Sequence, residues 1–70
     1  MPIFLASTDT DLTITHVHGH DDVSRHLRDM GIVVGAKVRL LSKQGRSIIM
    51  VLHGSRIALD PNLASRILVG

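Results

Sequence analysis

Residues 20–32 read HDDVSRHLRDMGI, and this stretch decides how the chain divides into elements. Val23, Leu27 and Met30 recur at the i, i+4 and i+7 spacing that places apolar side chains on one face of an α-helix. Most of the other positions are charged or polar. The pattern therefore predicts one main helix over residues 21–30.

Both ends of this helix carry their own signals. Asp21 and Asp22 are expected in the first turn and Arg25 and Arg28 in the last, which is the arrangement that the helix dipole favours. Asp21 and Arg25 are four residues apart, so we expect them to pair on the helix surface. Gly31 then supplies the left-handed residue that commonly ends a helix.

The segment that follows the helix is typical of a three-stranded meander. Val38 and Leu40 alternate with basic residues over 36–43, which is the period of a half-buried strand. Glycine-containing turns separate this strand from two further β-rich segments, residues 47–53 and 56–59.

Two short elements are expected at the C-terminal end. Asp60 is a capping residue and Pro61 suits the first helical position, so residues 61–66 are predicted to form a short helix. Residues 67–69 are apolar and β-branched or leucine, and they predict a last short strand.

A further strand is predicted before the main helix, over residues 12–18. Ile14 and Val17 are three residues apart and cannot both face inward on a regular strand. We therefore expect a bulge or kink near Thr15 and His16.

These elements predict a mainly β fold with short helices. About five strands are too few for a sandwich, and an open sheet of this size would leave long edges, so a small bent β-barrel is the economical solution. No linker or repeat interrupts the chain, and residues 1–70 are expected to form a single domain. The predicted inward-facing set is Ile14, Val17, Leu27, Ile32, Val38, Leu40, Ile48, Met50, Leu52, Ile57, Leu59 and Ile67.

The composition excludes several classes of protein. Seventy residues leave room for one small core, and the absence of cysteine excludes a disulfide framework, a thiolate metal site and a thiol nucleophile. No apolar run is long enough to span a membrane and no signal peptide is evident, so we expect a cytoplasmic protein without membrane insertion. A net charge of +2 and a single aromatic residue, Phe4, argue against nucleic acid as a partner.

Four motifs resemble those of the FeoA family: LRDMGI at 27–32, VGAKV at 34–38, VLHGSRIAL at 51–59 and ASRILV at 64–69. The resemblance covers nearly the whole chain. It implies an SH3-like β-barrel that acts as a cytoplasmic accessory component of bacterial ferrous iron uptake. It also implies docking on the cytoplasmic region of FeoB, the membrane protein with a GTPase domain, without a catalytic constellation or a required cofactor.

Two further consequences follow from the resemblance. Similar domains form the C-terminal part of iron-dependent repressors, but this chain lacks the winged helix that would read DNA. The family usually has a Pro-Gly turn before the first long strand, whereas residues 8–11 here are Thr-Asp-Thr-Asp. An Asp-based turn is a physical substitute, because its side chain bonds to the nearby backbone.

His16, His18 and His20 form the most conspicuous candidate site. On a strand, His16 and His18 point to the same face, so two imidazoles could share a transition metal, with His20 curling round as a third ligand. This cluster carries the alternative function of a direct metal-binding carrier or sensor for Fe(II), with adventitious Zn(II) binding also expected. The competing interpretation is that these are solvated surface histidines.

No enzyme site is predicted. Ser42, Ser47, His53 and Asp60 contain the letters of a hydrolytic triad, but no nucleophile elbow or oxyanion loop accompanies them. Residues 31–37 have the wrong glycine spacing for a phosphate-binding loop.

Leu41, Ile49 and Val51 are expected on the outer side of the sheet. Three aliphatic side chains there predict a surface that either is covered by the terminal segment around Ile3–Leu5 or meets a partner. The partner interpretation includes weak self-association.

Overall fold

The computed structural model describes all 70 residues. Segments of alternating apolar residues form five short strands, and the amphipathic segment between the first two strands forms the main helix. The elements are a 3₁₀ turn at Ile3–Leu5, β1 at Thr10–Val17, α1 at Asp22–Asp29, β2 at Lys37–Gln44, β3 at Ser47–Leu52, β4 at Ser55–Leu59, α2 at Pro61–Ala64 and β5 at Ile67–Val69. The predicted order of elements is confirmed, and both helices are shorter than predicted. Neither helix is long and apolar enough to cross a bilayer.

All five strands join one antiparallel sheet in the order β4-β3-β2-β1-β5. Leu59 on the β4 edge and Ile67 on β5 belong to the same buried cluster, so the sheet curls around one core. No ladder joins β4 to β5, which leaves the barrel partly open. The mainly β fold class is confirmed.

Two irregularities shape the sheet. The pairing of β1 with β5 shifts between Ile14 and His16, which confirms the kink expected near Thr15. The pairing of β2 with β3 shifts between Leu40 and Ser42, which leaves Leu41 without a residue directly opposite.

Gly31 terminates helix α1 as predicted, but the helix begins one residue later than predicted. Gly31 has a φ of 93°, and Ile32 N donates to Leu27 O at 3.0 Å, which closes a Schellman motif. Asp21 is the N-cap and not a residue of the first turn. The predicted pair of Asp21 with Arg25 is wrong, because Arg25 pairs with Asp22 at 3.0 Å.

The core is aliphatic, as the sequence predicted, with two corrections to the predicted set. Val17 and Ile57 are only partly buried, since Val17 ends β1 and Ile57 lies on an edge strand. Five residues that were not predicted complete the core: Ile3, Ala6, Leu12, Ala64 and Val69.

The N-terminal segment closes one end of the barrel. The Met1 amino group donates to Val69 O and Val69 N donates back to Met1 O, both at 2.7 Å. Ile3 and Ala6 then enter the core, and Lys43 Nζ donates to Ala6 O at 2.7 Å. The segment acts as an extra edge on β5.

Two turns use non-glycine residues with positive φ. Asp9, in the turn before β1, has a φ of 58°, so an aspartate occupies the left-handed position that a Pro-Gly turn would give to glycine. His53 and Gly54 have φ values of 51° and 80°, and they form the two-residue connection between β3 and β4. Positive φ at both positions defines a type I′ turn.

Candidate docking surface

The outer face of the sheet presents a small apolar area. Cross-strand register places Val51 between Arg39 and Arg56 in one row, and Ile49 between Ser42 and Ala58 in the next. Ile49 remains 39% exposed, and Val51 is half-buried. The two side chains therefore form an aliphatic centre with arginine on both sides of Val51. We use the name outer face for Ile49, Val51 and Ala58 together with the residues that flank them, Arg39, Ser42 and Arg56.

A groove adjoins the outer face where β4 leads into α2. Its volume is about 480 Å³, and its apolar lining comes from Ile48, Ile49, Ala58, Leu59 and Leu63. A second depression of about 380 Å³ lies beside Val51 on the β1 side. The outer face is thus concave at both ends of its aliphatic centre.

Charged side chains surround this centre and differ in how they are paired. Arg39 bonds to Asp11 Oδ1 at 3.3 Å, and Lys37 Nζ bonds to Thr13 Oγ1 at 2.7 Å. Arg56 is exposed and makes no ion pair within the chain. Arg56 is therefore the cation of this face that is free to meet a carboxylate.

The terminal segment leaves the outer face open at Ile49, which is 39% exposed. It places Ile3 in the core, Leu5 stays 62% exposed, and the Arg46 guanidinium lies 5.1 Å from the centre of the Phe4 ring. Leu41, the third aliphatic residue predicted on the outer side of the sheet, is half-buried at the bulge of β2.

The three-histidine metal site is not formed. The rings of His16 and His18 lie edge to face with their centroids 4.5 Å apart, but no group of three or more His, Asp or Glu side chains converges. Gly19, with a φ of 99°, turns the chain between His18 and His20, and His20 leads into the helix. The nearby carboxylate of Asp21 is engaged elsewhere. The structure therefore gives no support to His20 as a third ligand.

Asp21 and Arg66 fasten the start of α1 to the segment between α2 and β5. The Arg66 guanidinium donates to both carboxylate oxygens, at 2.7 and 3.1 Å, and Asp21 Oδ1 also accepts from Ser24 N at 3.1 Å. The hydrogen bonds from Arg66, with help from Ser24 N, lower the pKa of Asp21 from 3.8 to about 2. Gly19 has a φ of 99°, which favours glycine, and a side chain there would meet Arg66 Nη1 at 2.7 Å and force the end of that arginine to shift.

The candidate hydrolytic residues do not form a relay. Ser42, Ser47 and Asp60 line the groove, and His53 lies in the turn at the end of β3. Asp60 Oδ1 accepts from Leu63 N at 2.9 Å and caps α2. No hydrogen bond joins any two of these four side chains.

The chain matches the model of a known protein family over its whole length. A family model described as the FeoA domain matches residues 1–70. The chain belongs to the FeoA domain family. This family is associated with ferrous iron transport as an accessory domain. No curated protein sequence matches the chain.

Solved FeoA structures share the fold. The zinc complex of FeoA from Stenotrophomonas maltophilia, described as a prokaryotic SH3 domain protein, is 28% identical with a TM-score of 0.84, and the match covers 100% of this chain and 89% of that one. FeoA from Chlorobium tepidum is 27% identical with a TM-score of 0.84, covering 99% and 68%. The SH3-like architecture predicted for this FeoA domain is confirmed.

A metal-binding regulator also contains this fold. ScaR with bound Zn²⁺ matches with a TM-score of 0.86 at 24% identity, covering 99% of this chain and 35% of that one. This likeness shows the fold alone. Zinc is bound in the Stenotrophomonas structure, whereas this FeoA domain brings together no group of three ligands.

Sequence reasoning missed the ion pair of Asp21 with Arg66. The two residues are 45 positions apart, so no local spacing reveals it. The one available signal was that Asp21 precedes the apolar helical face and is a good N-cap residue.

Proposed function

We propose that this FeoA domain is a non-enzymatic accessory module that works in the cytoplasm, binds the cytoplasmic region of FeoB and modulates that protein. The carrying observation is the outer face, where Ile49 is 39% exposed between Ser42 and Ala58, and the neighbouring Val51 lies between two arginines. The membership in a family associated with ferrous iron transport supports the choice of partner. Fe(II) enters this proposal as the cargo of the transporter.

The chemistry of the outer face fits a protein partner. Protein interfaces combine an apolar centre with a polar, hydrated rim, and arginine is enriched in them. Ile49 and Val51 supply the centre, and Arg56 supplies an unpaired cation at the rim. The complementary surface would carry an aliphatic side chain next to a carboxylate. The face lacks the aromatic groove that proline-rich ligands require.

Titration of the FeoB cytoplasmic region into this domain by isothermal calorimetry tests the proposal. Ile49→Asp and Val51→Asp each place a charge at the apolar centre, so we expect affinity to fall at least tenfold, or about 1.4 kcal/mol. Val34→Asp is the matched control, because Val34 is 65% exposed in the loop before β2. Thermal melting checks that each variant folds.

The titration is repeated with and without a guanine nucleotide and Fe(II), which shows whether either one controls binding. Wild-type affinity in both Ile49→Asp and Val51→Asp would contradict the assignment of this face. No association of the wild type under any condition would contradict FeoB as the partner.

A further inference from the structure

Strand β4 forms a free edge of the sheet with unpaired main-chain groups. The two-residue turn before it makes Leu52 and Ser55 a hydrogen-bonded pair, so alternate residues from Ser55 onward bond to β3. Arg56 and Ala58 consequently direct their N–H and C=O groups away from the sheet. β4 pairs only with β3, and no hydrogen bond outside the ladders uses these four groups.

The side chain at the middle of this edge is also incompletely covered. Ile57 lies opposite Met50 and faces the core side, yet it is only half-buried because no further strand flanks β4. A β-branched aliphatic residue at an open edge favours contact with another strand. A strand that paired with β4 would therefore also cover the exposed part of Ile57.

The charges at the two ends of the edge are opposite. Arg56 is exposed without an ion pair near the start of β4, and Asp60 is exposed just beyond its end. Only one carboxylate oxygen of Asp60 is used to cap α2. A two-fold axis through the middle of β4 would bring the positive end of one copy toward the negative end of the other. The edge is thus complementary to itself.

We propose that a second copy of this chain pairs with β4 in antiparallel orientation, about a two-fold axis at Ile57. In this register Arg56 lies directly opposite Ala58 of the second copy as a hydrogen-bonded pair, and the symmetric pair repeats it. All four free groups on each copy are then satisfied. Ile57 meets Ile57 of the second copy as a non-hydrogen-bonded pair, which has the closest side chains in an antiparallel ladder.

This interface is small. One pair of five-residue strands buries far less than the roughly 1,600 Å² of a standard stable complex, so the dimer is weak and concentration-dependent. Sedimentation velocity of the wild-type chain between about 10 µM and about 1 mM is expected to show a reversible shift from monomer to dimer. A monomer over this whole range would overturn the proposal and leave the edge to an extended segment of another protein.

Ala58→Pro tests the edge directly. Proline removes the outward N–H of Ala58, and its ring blocks an approaching strand, while the bonds to β3 come from the neighbouring residues. We expect Ala58→Pro to stay monomeric at about 1 mM with the circular dichroism of the wild type. A folded Ala58→Pro that dimerises like the wild type would overturn the proposal.

Single cysteines test the register, because the natural chain has none. Ile57→Cys places two thiols face to face on the axis, so mild oxidation is expected to yield a covalent dimer. Ser55→Cys is the control: Ser55 is more exposed, but in this register it lies about 13 Å along the strand from its copy. Faster cross-linking of Ser55→Cys than of Ile57→Cys would overturn the register.

Discussion

At the scale of single residues, Asp21 carries the clearest electrostatic role. Its folded pKa of about 2 lies below its ordinary value of 3.8, so folding favours the ionised carboxylate. The stabilisation is fully present above pH 3.8 and is lost as the pH falls toward 2. The cause is the pair of hydrogen bonds from Arg66, which holds the entry to α1 against the end of the chain.

Asp21→Asn isolates this charge, since asparagine caps a helix about as well as aspartate. We expect a lower melting temperature than wild type near pH 7, and a difference that disappears as the pH falls from 3.8 to about 2. Asp22→Asn is the control, because its pair with Arg25 is highly exposed and contributes little. A deficit that stays constant down to pH 2 would contradict the role of the carboxylate charge.

His53 occupies a left-handed position at which asparagine is preferred. With a φ of 51° and Gly54 after it, this turn matches the Asn-Gly type I′ pattern. His53→Asn is expected to raise the free energy of unfolding by about 0.5 kcal/mol, measured by urea denaturation. His26→Asn, at an exposed helical position, should lower it slightly. If His53→Asn lowers the free energy of unfolding as His26→Asn does, this account of the turn is wrong.

At the scale of elements, sequence reasoning succeeded where several local signals agreed. Helix α1 combined an apolar face, end charges and Gly31, and the kink in β1 followed from the spacing of Ile14 and Val17. It failed where burial depends on distant pairing. The N-terminal segment shows no periodicity, and its bonds to Val69 span 68 positions.

The same limit explains the errors at the candidate sites. Ile57 has the inward parity of a core residue, but strand order makes its strand an edge. The spacing of His16 and His18 correctly placed their rings together, whereas the chain turns at Gly19 and continues to Asp21, which pairs with the distant Arg66. The outward positions of Ile49 and Val51 followed from strand parity alone and were confirmed.

Ile3 tests whether the N-terminal segment is part of the core. Ile3 is fully buried, so Ile3→Ala is expected to cost about 2–5 kcal/mol in free energy of unfolding, measured by urea denaturation. Leu5→Ala is the control from the same 3₁₀ turn. Leu5 is 62% exposed, and its replacement should change stability by less than about 0.5 kcal/mol. Equal effects of the two substitutions would contradict the packing of this segment.

At the scale of the whole molecule, two surfaces remain open on one small barrel. The outer face offers an aliphatic centre on β3, and the neighbouring edge of β4 offers unpaired main-chain groups. Ile49→Asp separates the two proposals, because it alters a side chain on the face and leaves the main-chain groups of the β4 edge unchanged, whereas Ala58→Pro alters a residue of both surfaces. Weak self-pairing at β4 and docking at the outer face would compete, since Ala58 contributes to both.

Amide chemical-shift mapping of the labelled domain during titration with the FeoB cytoplasmic region tests the central claim most directly. The predicted result is that the amides of Ile49, Val51 and Ala58 shift or broaden in a saturable manner, while those of α1 do not. Saturable shifts confined to α1 or to the loop around Val34 would contradict the outer face as the docking surface.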